Sequence, residues 1–121
     1  MTKRILVVED HEDNRQILRD LLGHAGYDMM EAEDGEQALT AATSYRPDLI
    51  LLDIQLPLID GYEVTRRLKA DPAFKKTPII VITSYALSGD EEKAYAAGCD
   101  TYVSKPYDPI ALLEIIERYL G

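Results

Sequence analysis

The sequence predicts an α/β fold, a doubly wound parallel sheet of five strands with about five flanking helices. The first observation is a set of short apolar runs at residues 5–8, 49–52 and 79–82. Continuous apolar runs are typical of parallel strands that are buried on both faces. The second observation is that a helix-like amphipathic stretch separates successive runs along the whole chain. Such alternation favours a parallel sheet with helices on both sides.

The strands differ in the strength of their pattern. Residues 29–32 and 101–104 contain polar side chains and are therefore predicted nearer the edges of the sheet. The helices are predicted from apolar residues at helical spacing. These stripes are Leu18, Leu21, Leu22 and Ala25; then Ala38, Leu39 and Ala42; then Val64 and Leu68; then Ala94 and Ala97. Gly23 and Gly26 are predicted stop signals around the first helix, and Gly98 ends the fourth.

The last helix has the clearest pattern. Asp108 suits the capping position and Pro109 the first helical position. The apolar stripe predicted for this helix consists of Ile110, Leu113, Ile116 and Leu120.

Length and composition exclude several classes of protein. The 121 residues predict one domain, residues 1–121, and 46% apolar with 29% charged residues is ordinary for a globular chain. No apolar run approaches the roughly 20 residues that a membrane span needs. The single cysteine, Cys99, excludes an intramolecular disulfide and fits a reducing cytoplasm. A net charge of −9 argues against direct contact with nucleic acid. We therefore expect a cytoplasmic protein.

Chemistry-bearing side chains follow the predicted strands. Glu9 and Asp10 follow the first strand, Asp53 the third, Thr83 the fourth and Lys105 the fifth. Open α/β sheets bind ligands at the carboxyl ends of their strands. Two carboxylates 4 Å apart repel by about 4 kcal/mol at an effective dielectric constant of 20. A cation removes that cost, and Mg²⁺ prefers oxygen ligands completed by waters and phosphate. The pattern predicts a metal-assisted phosphoryl site.

The motifs that carry a family resemblance are Glu9-Asp10, Asp53-Ile54-Gln55-Leu56-Pro57, Asp60-Gly61, Thr83-Ser84 and Lys105-Pro106. In order and spacing they resemble the signature of response-regulator receiver domains of two-component signalling, over essentially the whole chain. The resemblance implies a flavodoxin-like fold with strand order 2-1-3-4-5, as in a chemotaxis regulator. It also implies a signalling switch that is not an enzyme acting on a separate substrate.

The resemblance implies a role for each site residue. Asp53 would take a phosphoryl group from a sensor histidine kinase or a histidine phosphotransfer protein. Mg²⁺ (or Mn²⁺) would be held by Glu9, Asp10, Asp53 and the backbone carbonyl of Gln55. Lys105 and Thr83 would bind the phosphoryl oxygens.

Further roles concern switching, hydrolysis and docking. Tyr102 matches the family's aromatic switch, and the Lys105–Pro106 peptide bond matches its cis peptide. Gln55 and Tyr85 flank the position of the hydrolytic water, and since neither is an acid we expect slow to moderate self-dephosphorylation. Kinase docking is predicted at Asn14, Ile17, Pro106 and Tyr107. The downstream target is expected to be another protein.

Most other functional interpretations of the sequence require residues that it lacks. A dehalogenase-type phosphatase needs an acid two residues after Asp53, where Gln55 stands. A flavin module needs a Ser/Thr/Gly-rich loop after the first strand, whereas this loop is acidic. A dinucleotide fold needs a glycine-rich turn, which this sequence lacks. A scaffold-only receiver would lack one of the five strand-end residues.

Two questions stay open. The chain is a stand-alone regulator, which Met1 favours, or a receiver excised from a hybrid kinase or multidomain regulator; it is a monomer or a phosphorylation-dependent dimer.

Overall fold

The computed structural model describes residues 2–84 and 89–120. The elements in chain order are β1 (Arg4–Val8), α1 (Glu12–His24), β2 (Asp28–Ala32), α2 (Gly35–Tyr45), β3 (Leu49–Leu52), α3 (Gly61–Ala70), a 3₁₀ turn (Pro72–Phe74), β4 (Ile79–Thr83), α4 (Asp90–Ala97), β5 (Thr101–Ser104) and α5 (Pro109–Leu120). The predicted alternation of strands and helices is confirmed.

All strand pairs of the sheet are parallel, and the order is β2-β1-β3-β4-β5. The order implied by the family resemblance is therefore confirmed. Val8 at the end of β1 lies beside Leu52 at the end of β3, and Thr83 at the end of β4 lies beside Ser104 of β5. This register brings the residues that follow these strands to one edge of the sheet.

The core has two halves because successive strand residues point to opposite faces of the sheet. One half packs the sheet against α1 and α5, whose buried residues include Leu18, Leu22, Leu112 and Ile116. The other half packs it against α2, α3 and α4, through residues such as Ala38, Ala42, Val64, Leu68 and Ala94. The strands of the centre are buried on both faces, as continuous apolar runs require.

Three details of the helix predictions were wrong. Gly23 lies inside α1, with open space around it, and Ala25 is exposed because the helix has already ended there. Gly26 supplies the turn with a φ of +88°. Ile110 is 68% exposed, since Leu112 and Ile116 form the face of α5 that meets the sheet. The predicted cap of α5 is confirmed, because the Asp108 carboxylate accepts a hydrogen bond from Ile110 N at 2.9 Å.

Among the described residues, no helix combines the length and the apolar character that crossing a membrane would require.

Candidate functional site

Lys105 joins two buried carboxylates at the carboxyl edge of the sheet. Its Nζ atom lies 2.7 Å from Glu9 Oε1 and 3.1 Å from Asp53 Oδ2. Glu9 follows β1, Asp53 follows β3 and Lys105 follows β5, so residues up to 96 positions apart meet here. The structure thus brings together three of the residues that the strand-end pattern singled out. Glu9, Asp53 and Lys105 are called the carboxylate–lysine cluster below.

Burial makes the charges of this cluster strongly interdependent. Glu9 is 3% exposed and Asp53 is 6% exposed. Burial opposes ionisation of Glu9, but hydrogen bonds from Lys105 and from His11 N outweigh it and lower its pKa to about 2. For Asp53 burial prevails, helped by the Glu9 charge, and raises the pKa above its ordinary value. The two carboxylates share one ammonium group, and Glu9 holds it more closely.

The residue after Glu9 offers an unused oxygen. Asp10 Oδ1 is buried and has no hydrogen-bond partner among the described residues. The Nδ1 atom of His11 lies 3.0 Å from this oxygen, at ion-pair distance, and the potential ligand atoms of Glu9, Asp10 and His11 lie within 4.8 Å of one another. A buried carboxylate oxygen that accepts no hydrogen bond is costly. This oxygen, with other carboxylates beside it, therefore fits a hard cation such as Mg²⁺.

The backbone around Asp53 is held closely on both sides. Asp53 N donates to Val8 O at 3.0 Å, and its Oδ1 atom accepts a hydrogen bond from Gln55 N at 2.9 Å. The first residue of α3, Gly61, packs so closely that a Cβ atom there would lie 2.5 Å from Asp53 O and 2.6 Å from Ile54 Cα. These contacts fix the direction of the Asp53 carboxylate, and Gln55 itself is exposed beside it.

The predicted switch residues lie on β4 and β5. Thr83 is fully buried, and its carbonyl oxygen accepts a hydrogen bond from Lys105 N at 2.8 Å. Tyr102 is half-buried and packs against the core half that faces α2, α3 and α4. Its backbone N–H donates to the hydroxyl of Tyr95 on α4 at 3.2 Å. The Lys105–Pro106 peptide bond is cis, which confirms the family-based prediction. Tyr85 lies outside the described residues.

A cavity of about 490 Å³ opens beside the carboxylate–lysine cluster, between α1 and the start of α5. Its lining includes all three cluster residues. It also includes the four residues predicted for kinase docking, which are Asn14, Ile17, Pro106 and Tyr107. Ile17 is 52% exposed, so it is available to a partner at the mouth of this cavity. The predicted docking residues and the cluster thus line one cavity.

Sequence reasoning missed Arg15. This side chain of α1 is only 6% exposed, and it contacts the Glu9 backbone as well as glutamates of α1, of β2 and of the turn that follows β2. The only local signal is Glu12, three residues earlier on the same helix. The other partners are brought close only by the folded chain.

Comparisons with known proteins agree with this arrangement. The family model described as the response regulator receiver domain matches residues 5–117. The polar-differentiation response regulator DivK of Brucella ovis is 44% identical over 121 residues, covering 100% of this chain and 98% of the relative.

Comparison with solved structures leads to the same family. One similar structure is the receiver domain of sensor histidine kinase PA1611 from Pseudomonas aeruginosa PAO1, which has a magnesium ion coordinated in its active site cleft. It matches with a TM-score of 0.92 and 37% identity, covering 100% of this chain and 99% of that one. The chemotaxis protein CheY4 of Vibrio cholerae has a TM-score of 0.91 and 29% identity, covering 98% of this chain and 99% of that one. The protein therefore belongs to the response regulator receiver domain family, and it is a phosphoacceptor switch of two-component signalling.

Proposed function

We propose that Asp53 accepts the phosphoryl group, from a phosphohistidine of a sensor histidine kinase or a histidine phosphotransfer protein. The observation that carries this proposal is the position of the Asp53 carboxylate. It is buried, oriented by Gln55 N, paired with Lys105 and in the lining of an open cavity. A nucleophile that is held in one orientation in the wall of a cavity needs little reorganisation before attack.

The transfer conserves atoms and charge in a simple way. A carboxylate oxygen of Asp53 bonds to phosphorus while the bond between phosphorus and the partner's histidine nitrogen breaks, and its electron pair stays on that nitrogen. The other ring nitrogen of the phosphohistidine carries a proton, so the histidine leaves as a neutral imidazole. Lys105, whose Nζ atom lies 3.1 Å from Asp53 Oδ2, would hold the phosphoryl oxygens afterwards. Thr83 would donate its hydroxyl to the same group. Positioning and charge stabilisation account for such catalysis, since no proton needs to be moved.

Glu9, Asp10, Asp53 and the backbone carbonyl of Gln55 would hold Mg²⁺, with Mn²⁺ as an alternative of similar oxygen preference. The support from this chain is the buried Asp10 oxygen, which has no hydrogen-bond partner in the part of the chain that the structure describes. When bound, the metal supplies positive charge that offsets the phosphoryl oxygens and the crowded carboxylates. The magnesium ion in the related PA1611 receiver is consistent with this assignment.

The phosphoryl donor would dock at the cavity beside α1. Asn14, Ile17, Pro106 and Tyr107 line the same cavity as Asp53. An exposed isoleucine and a tyrosine suit the apolar part of such an interface. We further propose that residues 1–121 act as one cytoplasmic domain, as a monomer or a phosphorylation-dependent dimer.

The proposed output is a change at Thr83 and Tyr102 that alters binding of a downstream protein. The aspartyl phosphate carries about −1.5 to −2 charges in place of the single negative charge of the Asp53 carboxylate. Complete switching would need about 5.5 kcal/mol of differential stabilisation, so a partial shift in population is expected. Amide NMR spectra recorded in Mg²⁺, before and after addition of acetyl phosphate, test this. Wild type should show shifts in α4 and β5, and Asp53→Asn should show none. Equal shifts in both proteins would contradict the switch.

Self-dephosphorylation is expected to be slow to moderate. Gln55 is exposed beside Asp53, and neither Gln55 nor Tyr85 provides a carboxylate that could act as a general base on the attacking water. After removal of the phosphodonor, the phosphorylated fraction can be followed by intact mass spectrometry. A half-life of a few seconds or less would contradict this prediction.

A further inference from the structure

Arg15 ties the acidic turn after β1 to two neighbouring segments. Its Nη1 atom donates to the backbone carbonyl of Glu9 at 2.8 Å. The rest of the guanidinium contacts carboxylates, Glu12 Oε2 at 2.6 Å, Glu31 Oε1 at 3.1 Å and Glu33 Oε1 at 3.3 Å. A guanidinium that is almost fully buried must be paired in this way. The carboxylates hold Arg15 in place, and Arg15 in turn holds Glu9.

Both backbone groups of Glu9 are fixed by this arrangement. Glu9 N donates to Ala32 O at 3.0 Å, while Glu9 O accepts from Arg15. The Glu9 carboxylate is held separately, by Lys105 Nζ at 2.7 Å and by His11 N at 3.0 Å. The peptide group whose carbonyl Arg15 holds is the one that joins Glu9 to Asp10. Its orientation therefore sets the direction in which the Asp10 side chain leaves the backbone.

We propose that Arg15 is a positioning residue that holds the Glu9–Asp10 turn in the conformation in which its carboxylates bind Mg²⁺. The inference rests on the proposed metal site. Partners that orient metal ligands from outside the coordination sphere commonly change metal affinity by about 10–100-fold when they are removed. Arg15 acts through a backbone carbonyl, which is why no sequence motif of acidic ligands reveals it.

The charge of Arg15 and its positioning role predict opposite changes in Mg²⁺ affinity when Arg15 is replaced. Loss of a positive charge near an acidic site strengthens attraction of Mg²⁺. Loss of the hydrogen bond to Glu9 O frees the turn and weakens binding. Arg19 is the matched control, because it lies one turn further along α1 and bonds to Glu12 and Glu31, the same carboxylates. Its hydrogen bonds and ion pairs within the described ranges go to these carboxylates and not to the Glu9 carbonyl, so only the charge effect applies to it.

The experiment compares Mg²⁺ affinity in wild type, Arg15→Met, Arg15→Lys and Arg19→Met by isothermal titration calorimetry. We expect Arg15→Met to bind Mg²⁺ about tenfold more weakly than wild type. Arg19→Met should bind it equally well or slightly more tightly. Arg15→Lys should fall between wild type and Arg15→Met, since one ammonium group can reach Glu9 O but cannot also bridge the glutamates. Hydrogen exchange of the His11 amide in metal-free protein should be faster in Arg15→Met and unchanged in Arg19→Met.

The outcomes separate this inference from the proposed function. Unchanged or tighter Mg²⁺ binding by Arg15→Met overturns the positioning role. If Arg15→Met does not fold, Arg15→Lys decides, and an affinity equal to wild type overturns the role. If wild type itself fails to bind Mg²⁺, the proposed metal site is wrong and the positioning role falls with it. In that case faster His11 exchange in Arg15→Met would still show that Arg15 holds the turn.

Discussion

Replacing Lys105 with methionine is expected to lower the free energy of unfolding by about 2–3 kcal/mol at neutral pH without Mg²⁺, because it leaves two buried carboxylates without their cation. The value lies below that for a fully buried pair since the Lys105 side chain is 19% exposed. Urea unfolding at pH 7 measures the effect. Lys93→Met, which alters an exposed lysine of α4, is the control and should change stability little.

The pH dependence of the stability of Lys105→Met provides a second, independent test. In wild type the lowered pKa of Glu9, about 2 against an ordinary 4.5, contributes stability above pH 4.5 that is lost as pH falls toward 2. Without Lys105 the pKa of Glu9 rises, and the already raised pKa of Asp53 rises further. The variant should therefore lose less stability than wild type, or gain some, when pH falls from neutral into the carboxyl range.

Mg²⁺ should recover part of the stability of Lys105→Met, because a divalent cation replaces the lost positive charge. A variant as stable as wild type at pH 7 without metal would contradict the charge balance assigned to the carboxylate–lysine cluster. So would a variant whose stability falls more steeply on acidification than that of wild type.

Gly61→Ala is expected to destabilise the protein by about 3 kcal/mol, because the new methyl group would overlap backbone atoms that can move aside only when a whole segment shifts. Its Cβ would lie 2.5 Å from Asp53 O and 2.6 Å from Ile54 Cα. Relief of this overlap must displace either α3 or the backbone of Asp53. We therefore also expect slower phosphoryl uptake from acetyl phosphate by the fraction that folds. Chemical unfolding and intact mass measure the two effects.

Gly23→Ala is the matched control for Gly61→Ala. Gly23 also lies in a helix, but a methyl group there would have no described atom within 4 Å beyond its own stretch of helix backbone. Alanine at this position should stabilise the protein by about 0.5–1 kcal/mol, through the lower entropy of the unfolded chain. If Gly61→Ala were equally stabilising, the close packing of α3 on Asp53 would be refuted.

The sequence predicted those parts of the fold that depend on local pattern. The apolar run at residues 49–52 coincides with β3, because a strand buried on both faces leaves a continuous signal. The rule that ligands bind beyond strand ends then placed Glu9, Asp53 and Lys105 together, and the distances confirm it. The strand order came from the family resemblance, since periodicity does not specify which strands are neighbours.

The remaining features depend on contacts between distant segments. Ile110 and Leu112 are both apolar, and only the packing of α5 on the sheet determines that Leu112 is buried and Ile110 exposed. Arg15 resembles any helical arginine in sequence, and its contact with Glu9 O exists only once α1 folds over the acidic turn. Such residues are found from coordinates because their partners carry no periodic signal.

Intact mass spectrometry after incubation with acetyl phosphate and Mg²⁺ tests most directly whether Asp53 is the metal-dependent phosphoacceptor. Wild type is expected to gain the mass of one phosphoryl group, chelation of Mg²⁺ should prevent this gain, and Asp53→Asn should show none. Asp20→Asn, which alters an exposed aspartate of α1, should be phosphorylated like wild type. Equal phosphoryl uptake by Asp53→Asn, or uptake that is unaffected by chelation, would contradict this role of Asp53.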